Sequence, residues 1–558
     1  MTHSISQRLL RLMVGAGLLV GSAGCGDFLE IENLNDPDRE RALAQPQDLE
    51  ALLGGTWAVY FGIVHGSGPT FRHPYVPNLF PNVATQFTST TSTGGTRENV
   101  EEPRRPIDNN ISVGSNTGTW GPRILYDDMN QIAASVRQGL VTLEEVQLVD
   151  ENGGDGNPRA RAFAKFMQGL AWSTSALIHD KVSIVDENAE VSSDPVQQAI
   201  ESFVPWEEGL ARGLAALEEA IGIAEQNSFS FPAATVSHLW FAGQDEITSD
   251  ELARIARTYT ARFLVLSARN QDQREQSDWN RVLELTGNGV TRDFEIVLEP
   301  EFRESIYYAR SELNTAGCGN CYRWDNRLIG HADISGNYQA WISATRDERF
   351  RFDITTPDRR ITGPTPHSDG AYTRYRADDN GFQAGAGLYL FSAYQWARHA
   401  HRGFEANTGT AILVSVDENN LLRAEALLRT GDTEGAAELI NITRTRAHVL
   451  PDGSSHPGLP AVTADGVPIS ADCVPRTDSG QCGDLMVALW YERMIELAGL
   501  DAIRGYGDSR GFGLLPEGAW TQAPLPPEEL ELLGVSNYTF GGEDDPFGAV
   551  YAPAGSGR

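Results

Sequence analysis

The sequence predicts a mainly α-helical protein in which paired helices support a loop-rich, irregular half. Three observations predict it. Apolar residues recur at helical spacing over 160–178, 206–224 and 255–266. Two further helical stretches face each other around a Gly-Asp turn at 431–432. Between these groups, over 294–410, the periodicity gives way to alternating Gly, Asp, Arg and aromatic residues. An apolar stripe with a period near 3.6 buries one face of a helix. An irregular stretch as long as 294–410 needs side chains of its own to pack, and its Tyr and Trp content supplies them.

In order along the chain, a first helix is expected over 46–61. Residues 62–118, rich in Gly, Pro, Thr and Asn, read as a long loop with at most short strands. Ala160, Phe163, Met167, Leu170, Ala171, Leu177 and Ile178 form the first strong stripe. Trp206, Leu210, Leu214, Leu217, Ile221 and Ala224 form the second. Ile255, Tyr259, Arg262 and Leu266 form a third. At 417–447, Leu421, Ala424 and Leu428 share a face, Gly431 can end that helix and Asp432 can cap the next. Ala436, Ala437, Ile440 and Ala447 then line the second helix, and the pair resembles a tetratricopeptide hairpin. A loop over 449–483 leads to a last strong helix at 485–500.

Composition narrows the function. With 41% hydrophobic residues, 11 Trp and 16 Tyr, the 558-residue chain can bury a large core. Its net charge of −32 disfavours nucleic acid and anionic lipid headgroups as partners. Glycans, peptides and neutral solutes remain open. The acidity by itself serves solubility.

The amino terminus carries Arg8 and Arg11, then an apolar run over 12–20, then Gly21-Ser22-Ala23-Gly24 before Cys25. Basic, apolar, small is the order of a secretory signal. The run is too short to span a bilayer, which takes ~20 residues. Ala23-Gly24-Cys25 resembles the bacterial lipobox, with Ser22 where Leu is usual, so Cys25 is expected to carry lipid. Several acyl chains on one residue would anchor the protein stably.

A family resemblance runs through the segments in order. Leu421 to Asp432, reading LLRAEALLRTGD, is similar to the "AEAL…GD" hairpin of SusD/RagB proteins. Ala436 to Ala447 resembles that family's "A…IN.VR.RA", Glu492 to Leu497 its "ER..EL" helix, and Ala523 to Glu529 its "PIP..E". Cys25 to Glu30 resembles the mature start, Arg159 to Phe163 the "EARFLRA" helix and Arg254 to Leu266 the "A..AL.ARVYL" helix. The family's "EG.RW.DL.R" is matched only loosely by Ala502 to Asp508, and its "NP…QNPGY" ending is absent. The resemblance implies four tetratricopeptide-like helix pairs beneath a loop-rich half. It also implies a lipidated protein on the outer membrane, seated on a SusC-like TonB-dependent barrel transporter. A nutrient, often a glycan, is caught between the two. No cofactor and no catalysis come with it. The expected organisation is a signal peptide at 1–24, a lipidated tether at 25–45 and one SusD-like domain at 46–558. Its helical body covers about 46–61, 119–293 and 411–500, and its loop-rich half about 62–118, 294–410 and 449–483.

The chemistry-bearing residues are few. Glu492 and Glu496 share a helix face, and paired carboxylates can exchange protons, but Arg493 beside them favours a structural role. Cys318-Gly319-Asn320-Cys321 lacks the strand and helix of a redox site. With Cys473 and Cys482 it could form a four-thiolate zinc site, although the second pair lacks short ligand spacing. An exported chain favours disulfides, and the local pairing Cys318–Cys321 and Cys473–Cys482 is expected among three connectivities. The acidic loop Asp150, Asn152, Asp155, Asn157 fails the calcium-loop pattern, so no metal is expected. No common enzyme motif occurs. The remaining site candidates are aromatic: Trp324 and Trp341 lead, with Tyr322 and Tyr375 behind them, as rings that could stack on a sugar. Two other readings compete with nutrient binding: a helical-repeat scaffold for another protein, and an exported hydrolase with carboxylate chemistry.

Overall fold

The computed structural model describes residues 45–65, 75–88, 99–102, 104–109, 120–150, 153–190, 192–298, 323–376, 392–401, 409–542 and 545. The chain divides into two units, 1–49 and 50–558. Of the first only 45–49 are described, and the packing below is that of the second. Cys25, Cys318, Cys321 and Tyr322 lie outside the described residues.

The longer helices are α1 (Pro46–His65), α2 (Tyr75–Val83), α3 (Trp120–Thr142), α4 (Asn157–Ile178), α5 (Trp206–Gln226) and α6 (Ser249–Leu266). There follow α7 (Trp279–Gly287), α8 (Val416–Arg429), α9 (Thr433–Arg444), α10 (Leu485–Glu496) and α11 (Arg504–Gly511). From α3 to α6 each helix packs on the one before it. Gly169 on α4 and Gly213 on α5 make the closest of these approaches possible. A Cβ on Gly169 would stand 2.8 Å from the Gly213 carbonyl oxygen. Thr248 and Glu251 cap α6 reciprocally, as a capping box. At the centre Trp57 meets Phe241 at 5.0 Å, with Phe166 and Phe294 also against it.

The second group of helices joins α7 to α8, α8 to α9, and α10 to both. Ser415 caps α8 by accepting from the Glu418 amide, and Asp432 caps α9 by accepting from the Gly435 amide. Gly431 turns the chain between them at φ +94°, a conformation that favours glycine. Leu421, Ala424, Ala436, Ala437 and Ile440 are buried in one cluster with Leu485, Ala488 and Leu489 of α10, and Leu428 packs against it. The hairpin is thus built as its periodicity predicts. Ala447 is the exception. It is exposed, because α9 stops at Arg444. The loop after α9 is stapled by a Cys473–Cys482 disulfide, with a Cα–Cα distance of 5.7 Å.

Six strands are needed for the rest: β1 (Phe87–Thr88), β2 (Phe294–Leu298), β3 (Arg323–Trp324), β4 (Thr373–Tyr375), β5 (Tyr394–Trp396) and β6 (Gly409–Val414). β2 and β6 pair antiparallel, from Gly409 opposite Leu298 to Val414 opposite Phe294. The irregular segment therefore leaves the helical body and returns to it at one place. Within it, short strands form a sheet in the order β1-β3-β5-β4. β1 comes from the 62–118 stretch, which also forms α2. That stretch was expected to lack a helix. Its Val76, Leu79, Phe80 and Val83 hold helical spacing and are buried, and the prolines Pro77 and Pro81 obscured it.

Candidate functional site

The aromatic residues of the irregular half divide into rings that are buried and rings that reach the surface. Trp324, on β3, is 0% exposed. It stands opposite Phe87 of β1, ring centroids 5.0 Å apart, and its indole nitrogen donates to Thr373 Oγ1 at 3.0 Å. Trp396 closes the same cluster, 5.4 Å from Phe87. Trp324 is therefore a core residue and not a surface stacking ring. Trp341, 5% exposed, is corrected in the same way. The Gly-Asn-Tyr-Gln-Ala stretch before it does not present it to solvent. That stretch forms the first turn of a helix, Asn337–Ser343, which turns Tyr338 and Trp341 inward together. Phe352 lies 6.0 Å from the Trp341 ring, and the Arg349 guanidinium covers it at 4.7 Å.

Tyr375 is the one of the four candidates that the described structure leaves half-exposed. Its amide donates to Asp369 Oδ1 at 2.7 Å, fixing the end of β4. One side of its ring meets the His367 imidazole at 4.9 Å, and Tyr394 meets it edge-on at 5.8 Å. His367 Nε2 lies 2.8 Å from Asp353 Oδ2, and their side chains are 59% and 49% exposed. The Tyr394 hydroxyl pins both supporting segments: it donates to the Pro366 carbonyl at 3.0 Å and accepts from the Ile354 amide at 2.8 Å. Burial, then the Asp353 carboxylate, raises the Tyr375 phenol above its usual range. The hydroxyl thus keeps its proton and can both donate and accept. A ring face, a carboxylate and an imidazole side by side can hold a polyol: the ring takes a C–H face and the polar groups take hydroxyls. His367 and Asp353 were not singled out from sequence. The signal for His367 is the turn-rich run Pro364-Thr365-Pro366-His367-Ser368-Asp369-Gly370, which exposes whatever sits at its tip; Asp353 lies outside that run.

What holds this surface in place is an ionic mount on α10. Arg360 donates to both Asp358 oxygens, at 3.0 and 2.9 Å, and to both Glu492 oxygens, at 2.6 and 2.9 Å. Thr443 of α9 donates to Glu492 at 3.0 Å. Glu496 accepts from the Tyr372 hydroxyl at 2.9 Å and from Arg398 at 3.1 Å. All these carboxylates are buried. Burial pushes the Asp358 carboxyl up, but the Arg360 guanidinium outweighs it and lowers its pKa to about 2. Burial likewise raises Glu496, and Arg398, Arg360 and Arg446 bring it below the usual carboxylate range. Glu492 and Glu496 do share a face, as their spacing predicts. They stand inside the protein, each held by arginines, where their role is structural. Among the described residues no cluster of His, Cys, Asp and Glu is placed to hold a metal ion, and no helix is long and apolar enough to cross a membrane.

No protein-family model and no curated relative matches the sequence. Solved structures do match. A SusD homologue from Parabacteroides distasonis superposes with a TM-score of 0.56 at 11% identity, over 91% of this chain and 100% of that one. A SusD superfamily protein from the same organism gives 0.51 at 12% identity, over 91% of this chain and 94% of that one. The chain has the SusD-like fold. Within that SusD-like framework the paired helices are the body, and the Tyr375 surface belongs to the irregular half, which Arg360 and Arg398 join to Glu492 and Glu496 of α10.

Proposed function

We propose that the mature chain is a surface lipoprotein that binds a nutrient on its irregular half and delivers it to a SusC-like TonB-dependent barrel in the outer membrane. The SusD-like fold over nearly the whole chain carries this reading. The ligand is a neutral oligosaccharide. Tyr375, His367 and Asp353 offer the ring face and hydrogen-bonding groups that a sugar requires. A net charge of −32 works against polyanionic glycans. The anchor is lipid on Cys25, reached through the signal-like run that ends in small residues.

The test has two arms. Calorimetry of the purified mature protein against neutral oligosaccharides, with acidic glycans and acidic peptides as controls, should show binding by the neutral glycans and none by the acidic probes. If nothing small binds but a barrel protein co-purifies from extracted membranes, the ligand pocket forms only in the complex, and the Tyr375 assignment is lost. Cys25→Ser should move the protein from the membrane fraction to the soluble one. A variant that stays membrane-bound with unchanged mass would place the anchor elsewhere.

A further inference from the structure

Away from Tyr375, a shallow open groove lies between the N-terminal half of α6, the 244–247 segment and the start of β2. Its floor is apolar, with Ile247, Ile255 and Phe294 all buried beneath it. Its walls carry Asp245, Glu251, Asp293 and Glu295 against Arg254 and Arg292. Arg292 spans the two walls. Its Nη1 donates to Asp245 Oδ2 at 2.8 Å, its Nε to Glu251 Oε1 at 2.6 Å and its Nη2 to the Glu246 carbonyl at 2.9 Å. Three oxygens, two from the 245–246 segment and one from α6, thus converge on one planar cation above an apolar floor.

We infer that this groove is a second ligand site, distinct from the glycan surface, for a guanidinium or ammonium group on a short apolar stem. That is the chemistry of a basic residue next to an apolar one in a peptide. Arg292 holds the cation's place until the ligand's own cation replaces it. The exchange is cheap because Arg292 is 44% exposed on its side chain, and exposed ion pairs contribute little. The converging carboxylates match the fork of a guanidinium in particular. Four acids against two arginines, on a chain of −32, also draw a cation toward the groove.

The experiment is calorimetry of the full chain with N-acetyl-leucyl-arginine amide, and with N-acetyl-leucyl-norleucine amide as a neutral control of similar length. The arginine peptide should bind and the neutral one should not, and added salt should weaken the binding. Arg292→Ala removes the internal competitor and should bind the arginine peptide roughly two- to fivefold tighter. Asp245→Asn, at a side chain that is 68% exposed, should weaken it by a similar factor. Thermal melts of both variants should match the wild type, so that lost folding is not read as a lost site. Absence of binding in wild type and Arg292→Ala alike overturns the inference. So does equal binding of the neutral peptide, or an Arg292→Ala variant that binds no tighter than wild type.

Discussion

The α8–α9 hairpin and the 358–372 loop are both buried against α10, and they are held there by opposite means. The hairpin uses apolar surface: Ala424, Ala437 and Ile440 close over Leu485 and Leu489. The loop uses charge and hydroxyls: Arg360 bridges Asp358 to Glu492, Tyr372 donates to Glu496, and Tyr491 of α10 donates to Asp358 at 2.8 Å. One helix thus presents an apolar stretch at its start and an acidic one at its end. Apolar burial is non-directional and suits elements whose own periodicity fixes their orientation. A loop has no such periodicity. Directional, bidentate ion pairs can set its position instead, at the risk that one lost partner leaves the others buried and uncompensated.

The largest expected effect therefore lies in the loop. Arg360→Ala should destabilise the protein by about 3–5 kcal/mol, the cost of breaking a buried ionic group from one side. Urea denaturation followed by tryptophan fluorescence measures it. The loss should depend on pH, and its sign is fixed. Asp358 has a folded pKa of about 2, below its unfolded value, because Arg360 outweighs the effect of burial. Its contribution is complete above the unfolded carboxylate range, about pH 4, and disappears as the pH falls through about 2. Acidification should thus narrow the gap between wild type and variant. A destabilisation under about 1 kcal/mol would mean that the mount is dispensable.

Ile440→Ala probes the hairpin side of the same helix. It should cost about 2–5 kcal/mol, through lost transfer free energy and the cavity left behind. No titrating group is involved, so the loss should be the same at neutral and acid pH. If it varied with pH as the Arg360 variant does, the two sides of α10 would be one coupled unit and the contrast between them would fail.

The same contrast explains which parts of the molecule were legible in the sequence. Leu421, Ala424, Ala436 and Ile440 declare their burial within a few residues of chain, since helical spacing is local information. The SusD-like resemblance rested largely on such segments, and the fold agrees with it. Trp324 was misread because its burial is set by Phe87 on a strand far back in the chain and by Thr373 ahead of it. Nothing near Trp324 in sequence announces either partner. Trp341 was misread because a short helix and a cation from Arg349 close over it. The acidic pair Glu492 and Glu496 was placed on one face correctly. Its depth was hidden, because the arginines that make burial tolerable come from 360, 398 and 444. Tyr375 is the candidate that keeps its exposure, because it stands on the end strand of its sheet.

The smallest effect on stability, and the sharpest on function, is expected from Tyr375→Ala. The ring is half-exposed and packs on His367 and Tyr394 without closing a cavity. Its amide, which fixes the strand end on Asp369, is kept in the variant. Folding should then change by about 0.5 kcal/mol or less, the range of surface substitutions. Binding of a neutral oligosaccharide should weaken by about 0.5–1.5 kcal/mol, the worth of one aromatic face in contact with its partner. Asp353→Asn run in parallel separates the ring from the polar groups. It keeps the ring and removes the negative charge that His367 faces at 2.8 Å, so it should weaken binding while leaving stacking intact. Calorimetry on both variants, with a melt on each, reads the two quantities independently. Unchanged glycan affinity in both variants, with folding intact, would move the ligand off this surface while leaving the structural contrast across α10 untouched.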